Sequence, residues 1–282
     1  MTQIWADESD QPAAILSDIR EGVGIIKLNR PSRLNAWTPA MGTLYFNTLD
    51  AMAADPLVRA ILVIGEGRGF CAGADMAGLS NIAASGGQMT GRDGRPYWYA
   101  MGIGKPIIAA IHGACYGVGL QQAACCDVRF ASRDAKFCVP YVKRGLIAEL
   151  ALSWQLNRLI GVGRTTDMLL SARVFGGEEA LAIGLVNQLC EPEELFDRAF
   201  AYCRTIAAEN SPWAMRMVKQ QIYHDLMSAS LTQPFDRAGQ LLQVAVSGPD
   251  MREGITAFRE KRPLNFPPLS PDLAKLDPWP EG

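Results

Sequence analysis

Short, mostly apolar runs alternate with polar or glycine-bearing breaks through the first half of the chain. Ala14 to Ile19 and Gly24 to Leu28 flank an Arg-Glu-Gly-Val link and predict a β-hairpin, ended by Asn29-Arg30-Pro31. After Thr38-Pro39, an N-cap followed by proline at the first helical position, Met41, Leu44, Tyr45, Thr48, Leu49 and Met52 recur at helical spacing. That helix is expected to stop before Asp55-Pro56. Ala60 to Gly65 and Ile107 to Ile111 are continuously apolar and too short for ordinary helices, which favours buried strands, although a run of that length is also compatible with buried helix. Val128 to Ala131 and Lys136 to Val139 predict two further strands.

The pattern changes near Leu146, beyond which helical periodicity dominates. Helices are expected over Glu149 to Leu159, ending at Gly161, over Glu178 to Ile183, after Pro192, and from the Ser211-Pro212 and Gln233-Pro234 start signals. The last twenty residues hold six prolines and no periodicity, predicting an extended tail laid across a neighbouring subunit. The segment 84–96 is glycine-rich and free of core residues, as a lid or a plain surface loop would be. No internal repeat is visible.

Composition narrows the function classes. Lys and Arg number 27 against 29 Asp and Glu, so the chain lacks the basic excess of a nucleic-acid binder. The N-terminal residues have no basic segment followed by an apolar run, and no stretch reaches the ~18 apolar residues of a membrane span. The seven cysteines are odd in number and include no CxxC pair, which fits reduced thiols in a cytoplasmic protein.

The candidate chemistry lies where strands empty into glycine loops. In Lys105 to Asp127, KPIIAAIHGACYGVGLQQAACCD, the strand at Ile107 to Ile111 is followed by three glycines and then by a predicted helix from Leu120 to Cys126. Free backbone N–H groups at such a helix start favour negative charge. A second glycine-bearing loop, GEGRGFCAGAD, follows the strand at Ala60 to Gly65. Either loop alone is adequately explained by tight turns; two following apolar strands point to a site.

The stations LNRPSRLNA at 28–36, GFCAGADM at 69–76, KPIIAAIHGACYGVG at 105–119, CDVRFAS at 126–132, RGLIAELALSWQLNRLIG at 144–161 and DMREGITAFREKR at 250–262 occur in one order over most of the chain. Together they resemble the crotonase superfamily, the enoyl-CoA hydratase/isomerase family. The resemblance implies an α/β fold, a crotonase spiral of strand-strand-helix turns, with a core over 1–200 and a helical trimerisation region and proline-rich tail over 201–282. It implies homotrimers or homohexamers acting on acyl-coenzyme A thioesters, with no cofactor beyond the coenzyme A moiety, no metal, and no nucleic-acid or membrane partner. It also implies an oxyanion hole made by the backbone N–H groups of Ala74 and Val118. Ser32, Arg33 and Leu34 match positions at the nucleotide end of coenzyme A, and Ala72, Asp75 and Met76 match positions around its adenine and pantetheine. Phe258 and Lys261 match residues that reach the nucleotide from an adjacent subunit.

The acid and base depart from the hydratase pattern. Gln121 and Tyr141 stand where hydratases of this family carry their two glutamates. An amide has no proton equilibrium near neutral pH, and a phenol with pKa ~10 is a poor unassisted base. Glu149 instead matches the catalytic glutamate of Δ3,Δ2-enoyl-CoA isomerases, although an acidic residue at a helix start is also unremarkable. Leu150-Ala151-Leu152 follow it where the isomerase-like motif has small residues, and Ala148 replaces a common proline. Three readings stay open: an isomerase using Glu149, a hydratase in which Glu149 orients water with help from Tyr141, and an idle acyl-CoA-binding member. Tyr116, Tyr141 and Trp98 are candidates for an acyl pocket or for plain core. His112 and Asp127 read as structural.

Overall fold

The computed structural model describes residues 13–84, 94–273 and 275, so most of the 84–96 segment lies outside the described residues. Ile15–Arg20 (β1) and Val23–Leu28 (β2) form the expected antiparallel hairpin. Thr38 caps Pro39–Ala54 (α1), its hydroxyl accepting from the Met41 N–H at 3.2 Å. There follow Ala60–Gly65 (β3), Met76–Ala84 (α2), Ile107–Ile111 (β4), Ala114–Tyr116 (β5), Val118–Ala124 (α3), Val128–Ser132 (β6) and Lys136–Cys138 (β7). Then come Leu152–Ile160 (α4), Val162–Ser171 (α5), Phe175–Gly176 (β8), Gly177–Ala182 (α6) and Gln188–Cys190 (β9). Leu195–Glu209 (α7), Pro212–Asp225 (α8), Thr232–Ser247 (α9) and Pro249–Glu260 (α10) complete the helices.

The main sheet runs β1-β2-β3-β4-β6-β9, parallel from β2 onward, and β5-β7-β8 make a smaller sheet beside it. β4 followed by β5 and α3 is one strand-strand-helix turn. β3, the bridging residues 69–71 and α2 make the turn before it, since Gly69 and Cys71 pair with Gly113 and Cys115. This is the spiral implied by the resemblance.

β4 is apolar at every position because both of its faces are covered. Side chains alternate across a strand. Ile107, Ala109 and Ile111 join the core containing Met41, Tyr45, Leu49 and Leu120. Ile108 and Ala110 join the core on the other face, closed by Leu195, Ala199, Cys203 and Ala207 of α7. Residue 200 lies inside α7, so the expected division at 200/201 cuts a helix packed on the sheet. Asp127 ties α8 to β4. Its carboxylate accepts from the Ile107 N–H at 2.7 Å, Lys219 Nζ at 2.8 Å and the Tyr223 hydroxyl at 2.9 Å.

One expectation needs correction: the helix predicted from Glu149 begins instead at Leu152, as α4. The described part of the tail packs on its own chain. Phe266 and Leu269 are buried, Arg59 donates to the Phe266 carbonyl at 2.6 Å, and Arg216 donates to the Leu273 and Lys275 carbonyls at 2.8 and 2.7 Å. All seven cysteines are free and buried. Among the described residues no helix is long and apolar enough to cross a membrane.

Candidate active site

Main-chain hydrogen bonds lace the two glycine loops into one surface. Phe70 N–H donates to the His112 carbonyl at 2.8 Å, Cys71 N–H to the Ala114 carbonyl at 2.9 Å, and Tyr116 N–H to the Cys71 carbonyl at 2.9 Å. Glycine is required where the loops touch. A Cβ on Gly119 would collide with the Cys71 carbonyl and stand 2.8 Å from the Cys71 Cβ. Gly113, at φ +51°, has the Gly69 Cα only 2.9 Å from where its own Cβ would be.

Among the described residues this lacing leaves the Ala74 and Val118 N–H groups free. Trp37 N–H donates to the Gly73 carbonyl at 2.7 Å and accepts, through its own carbonyl, from Asp75 N–H at 2.9 Å. Successive N–H groups of an extended segment point to opposite sides, so the Ala74 N–H faces away from Trp37. Val118 opens α3, where the first N–H groups have no intrahelical acceptor. Among the described residues neither Ala74 nor Val118 N–H has a hydrogen-bond acceptor. The geometry brings both expected oxyanion donors onto the joined loops.

The segment 30–37 lies against the first of these loops. Ala72 N–H donates to the Leu34 carbonyl at 2.9 Å, and Arg30 pairs with Asp75 at 3.2 Å. Buried Asn35 fixes the segment: its amide donates to the Glu66 and Gly69 carbonyls at 2.9 and 2.8 Å, and its oxygen accepts from Arg30 N–H at 2.8 Å. Leu34 and Asn35 hold left-handed backbone, φ 49° and 55°, which Asn tolerates and Leu does not favour. Ser32 and Arg33 are consequently presented to solvent on a 3-10 turn, and Met76 is exposed beside Asp75. Ser32, Arg33, Leu34, Ala72, Asp75 and Met76 thus form one neighbourhood. Phe258 and Lys261 do not join it within one chain. They sit at the end of α10, which packs on α9, and Phe258 is 85% exposed.

The residues at the three acid-base positions are held differently. Gln121 is fully buried in an amide-thiol cluster, its Nε2 donating to the Tyr97 carbonyl at 3.1 Å and to Cys125 Sγ at 3.3 Å. Gln122 Nε2 donates to the Gln121 oxygen at 2.7 Å, and Gln155 Nε2 to Cys125 Sγ at 2.9 Å. Gln121 is therefore committed to joining α3 to the segment after residue 94. Tyr141 is buried with its ring against Gly117, and burial, then the charge of Glu149, push its phenol well above the ordinary range.

Glu149 is half-buried, and its carboxylate makes no hydrogen bond or ion pair among the described residues. Its carbonyl accepts from Leu152 N–H at 3.1 Å, closing a turn whose central residues, Leu150 and Ala151, are both left-handed at φ 59° and 60°. Neither residue type favours that conformation, which costs ~1–3 kcal/mol each. Glu149 is thus projected from a strained turn rather than from a helix start. Beside the turn, Trp98, Met101, Ala151, Trp154, Gln155 and Met227 line a cavity of about 210 Å³.

Sequence reasoning named Trp98 for such a pocket and missed Trp154 and Met227, which had only helical spacing to mark them. Tyr116 is half-buried in β5. His112 contacts the Gly67 carbonyl at 3.0 Å, consistent with a structural role. Among the described residues no group of three or more His, Cys, Asp or Glu converges as a metal site would.

Comparison with known proteins places this geometry in context. A family model described as enoyl-CoA hydratase/isomerase matches residues 18–268. The chain is 31% identical over 254 residues to the crotonyl-CoA hydratase of Syntrophomonas wolfei, covering 89% of this chain and 97% of that protein. It is also 31% identical to the 1,2-epoxyphenylacetyl-CoA isomerase of Escherichia coli, with coverage of 89% and 97%. A solved enoyl-CoA hydratase/isomerase family protein from Hyphomonas neptunium, 32% identical, superposes with a TM-score of 0.82 over 91% of this chain and 98% of that one.

Proposed function

The chain belongs to the enoyl-CoA hydratase/isomerase family, and from that premise we propose that it shifts a carbon-carbon double bond in an acyl-coenzyme A thioester, with Glu149 as both base and acid. The observation that carries this reading is the unpartnered Glu149 carboxylate on its strained turn, while Gln121 is committed to the buried cluster and Tyr141 stays protonated.

Glu149 would take a proton from C2 of a 3-enoyl thioester. The electron pair spreads onto the thioester oxygen, where the Ala74 and Val118 N–H groups stabilise the enolate. Returning the proton at C4 completes the shift, and no water is consumed. Removing a single such donor typically costs ~2.7–4 kcal/mol of barrier. The half-exposed loop carrying Ser32, Arg33 and Leu34, with Ala72, Asp75 and Met76, would receive the nucleotide and pantetheine, Arg33 meeting a phosphate. The cavity beside Ala151 would take the acyl chain.

The name of the Syntrophomonas relative favours a second reading, hydration of a 2-enoyl thioester with Glu149 activating water. Matched 2-enoyl and 3-enoyl coenzyme A thioesters separate the two. Conversion of the 3-enoyl substrate to its isomer without mass gain supports the isomerase, whereas gain of one water by the 2-enoyl substrate replaces it with the hydratase. Absence of turnover on both leaves an acyl-CoA-binding member.

A homotrimer or homohexamer is part of the same proposal. Leu231, Phe235, Leu242, Val244 and Phe258 of the C-terminal helices and their approach are exposed, and trimer contacts would bury such an apolar surface. That arrangement would bring Phe258 and Lys261 to a neighbour's nucleotide site. Native mass measurement gives the subunit number.

A further inference from the structure

Tyr141 has no role in the proton shift, yet its hydroxyl is one of seven buried side-chain polar atoms left without a partner among the described residues, and the one packed against the oxyanion loop. The residue is 5% exposed, and its hydroxyl has no hydrogen-bond partner among the described residues. Its backbone is firmly placed, the carbonyl accepting from Arg144 N–H at 2.9 Å and Leu146 N–H at 3.0 Å. The ring lies flush against Gly117, where a side chain's Cβ would stand 3.5 Å from its Cε1 and 3.9 Å from its hydroxyl. Gly117 is the residue whose carbonyl carbon is bonded to the Val118 nitrogen.

We infer that the Tyr141 hydroxyl is a third hydrogen-bond donor of the active site, pointed at an oxygen of the bound acyl thioester. The inference rests on the placement of the oxyanion loops and Glu149 proposed above. A buried hydroxyl without a partner destabilises a fold, and phenylalanine would fill the same space without that cost. A ligand oxygen supplies what the fold omits.

The location narrows the acceptor. Gly117 puts the hydroxyl beside the Val118 donor, and the charge of Glu149 is the largest influence on the phenol after burial. Those influences keep the phenol protonated at any pH at which the enzyme would work, so it donates and does not act as a base. The acceptor therefore lies beside the Val118 donor, on the acyl thioester itself. It is either the thioester oxygen or an oxygen carried further along the acyl group, as a 3-hydroxy or 3-oxo substituent.

Tyr141→Phe tests the inference in the full-length protein, with Glu149→Gln prepared beside it. Binding of butyryl-CoA and of 3-hydroxybutyryl-CoA is measured by calorimetry, together with turnover of 3-enoyl thioesters and the thermal midpoint. The expected result is an unchanged or raised midpoint with a tenfold to hundredfold loss, about what a hydrogen bond to a charged or strongly polarised oxygen is worth. Loss of turnover and binding on both thioesters assigns the thioester oxygen. Loss confined to 3-hydroxybutyryl-CoA assigns an oxygen on the chain and an oxygenated substrate class. Affinities and kcat/KM within twofold of wild type on every thioester overturn the inference. Retained turnover in Glu149→Gln would instead remove the acid-base assignment, whatever Tyr141→Phe shows.

Discussion

In the loops at 69–75 and 112–119 the chemistry resides in the main chain, whereas in the segment 141–152 it resides in side chains. The loops are over-determined: each is bonded to the other, Gly113 and Gly119 allow contact closer than any side chain permits, and the free Ala74 and Val118 N–H groups follow from the pairing of Trp37 with Gly73 and Asp75 and from the start of α3. The segment 141–152 is the opposite. It places two left-handed non-glycine residues in succession and leaves the Tyr141 hydroxyl and the Glu149 carboxylate without protein partners among the described residues. A site that holds a developing oxyanion needs fixed dipoles. A site that moves a proton between two carbons needs a carboxylate not already engaged. The difference in construction follows the difference in task.

Changes to the two regions should therefore separate activity from stability. Glu149→Gln is expected to lower kcat by about 10²–10⁴, the usual contribution of a positioned acid or base, with no change in thermal midpoint. Steady-state kinetics and calorimetry check both halves. Gly119→Ala is expected to cost both together. The new methyl must displace the Cys71 backbone, moving the Ala74 donor and lowering kcat/KM by about 10², with a stability loss of about 1–3 kcal/mol. A fully active, fully stable Gly119→Ala protein would break the claim that the loops are over-determined.

Alkaline pH should act on the loops, the cluster behind them and the α7 face of the sheet. Burial pushes the Cys71, Cys125 and Cys203 thiols up to about 12, while in the unfolded chain they ionise near 9. Their stabilisation is complete below pH 9 and is lost as pH rises toward 12, by about 1.4 kcal/mol per pH unit for each thiol. Lys105, lowered by burial to about 8, opposes this between pH 8 and 10.5 because its unfolded form binds more protons there. Lys275, likewise lowered by burial to about 8, adds to the opposition, and three thiols against two lysines still give a falling thermal midpoint above pH 9, read by calorimetry across pH 8 to 11. The smallest effect belongs to Ala151→Gly, which relieves one left-handed residue and should raise stability by about 1 kcal/mol or less, measured by denaturant titration.

The same contrast decides what was legible in the sequence. The strands at Ala60 and Ile107, the Thr38 and Ser211 caps and the glycine loops carry local signals, and the structure forms each of them. The turn at Glu149 was missed because Leu150, Ala151 and the residues after them fit a helical pattern. Tertiary packing, with Leu150 against the core, overrides that preference. The course of the tail had no local signal either, since Arg59 and Arg216 reach Phe266, Leu273 and Lys275 from distant parts of the chain. For Gln121 the sequence excluded a base, but only the fold reveals the amide's attachment to the Tyr97 carbonyl.

The most direct test follows a single proton. A 3-enoyl coenzyme A thioester deuterated at C2 is turned over in ordinary water, and the position of the label in the 2-enoyl product is read by mass spectrometry and NMR. If Glu149 alone carries the proton from C2 to C4, part of the deuterium appears at C4 in the first turnovers. Product carrying no deuterium at C4, however early it is sampled, would contradict transfer by one carboxylate and require separate groups for the two steps.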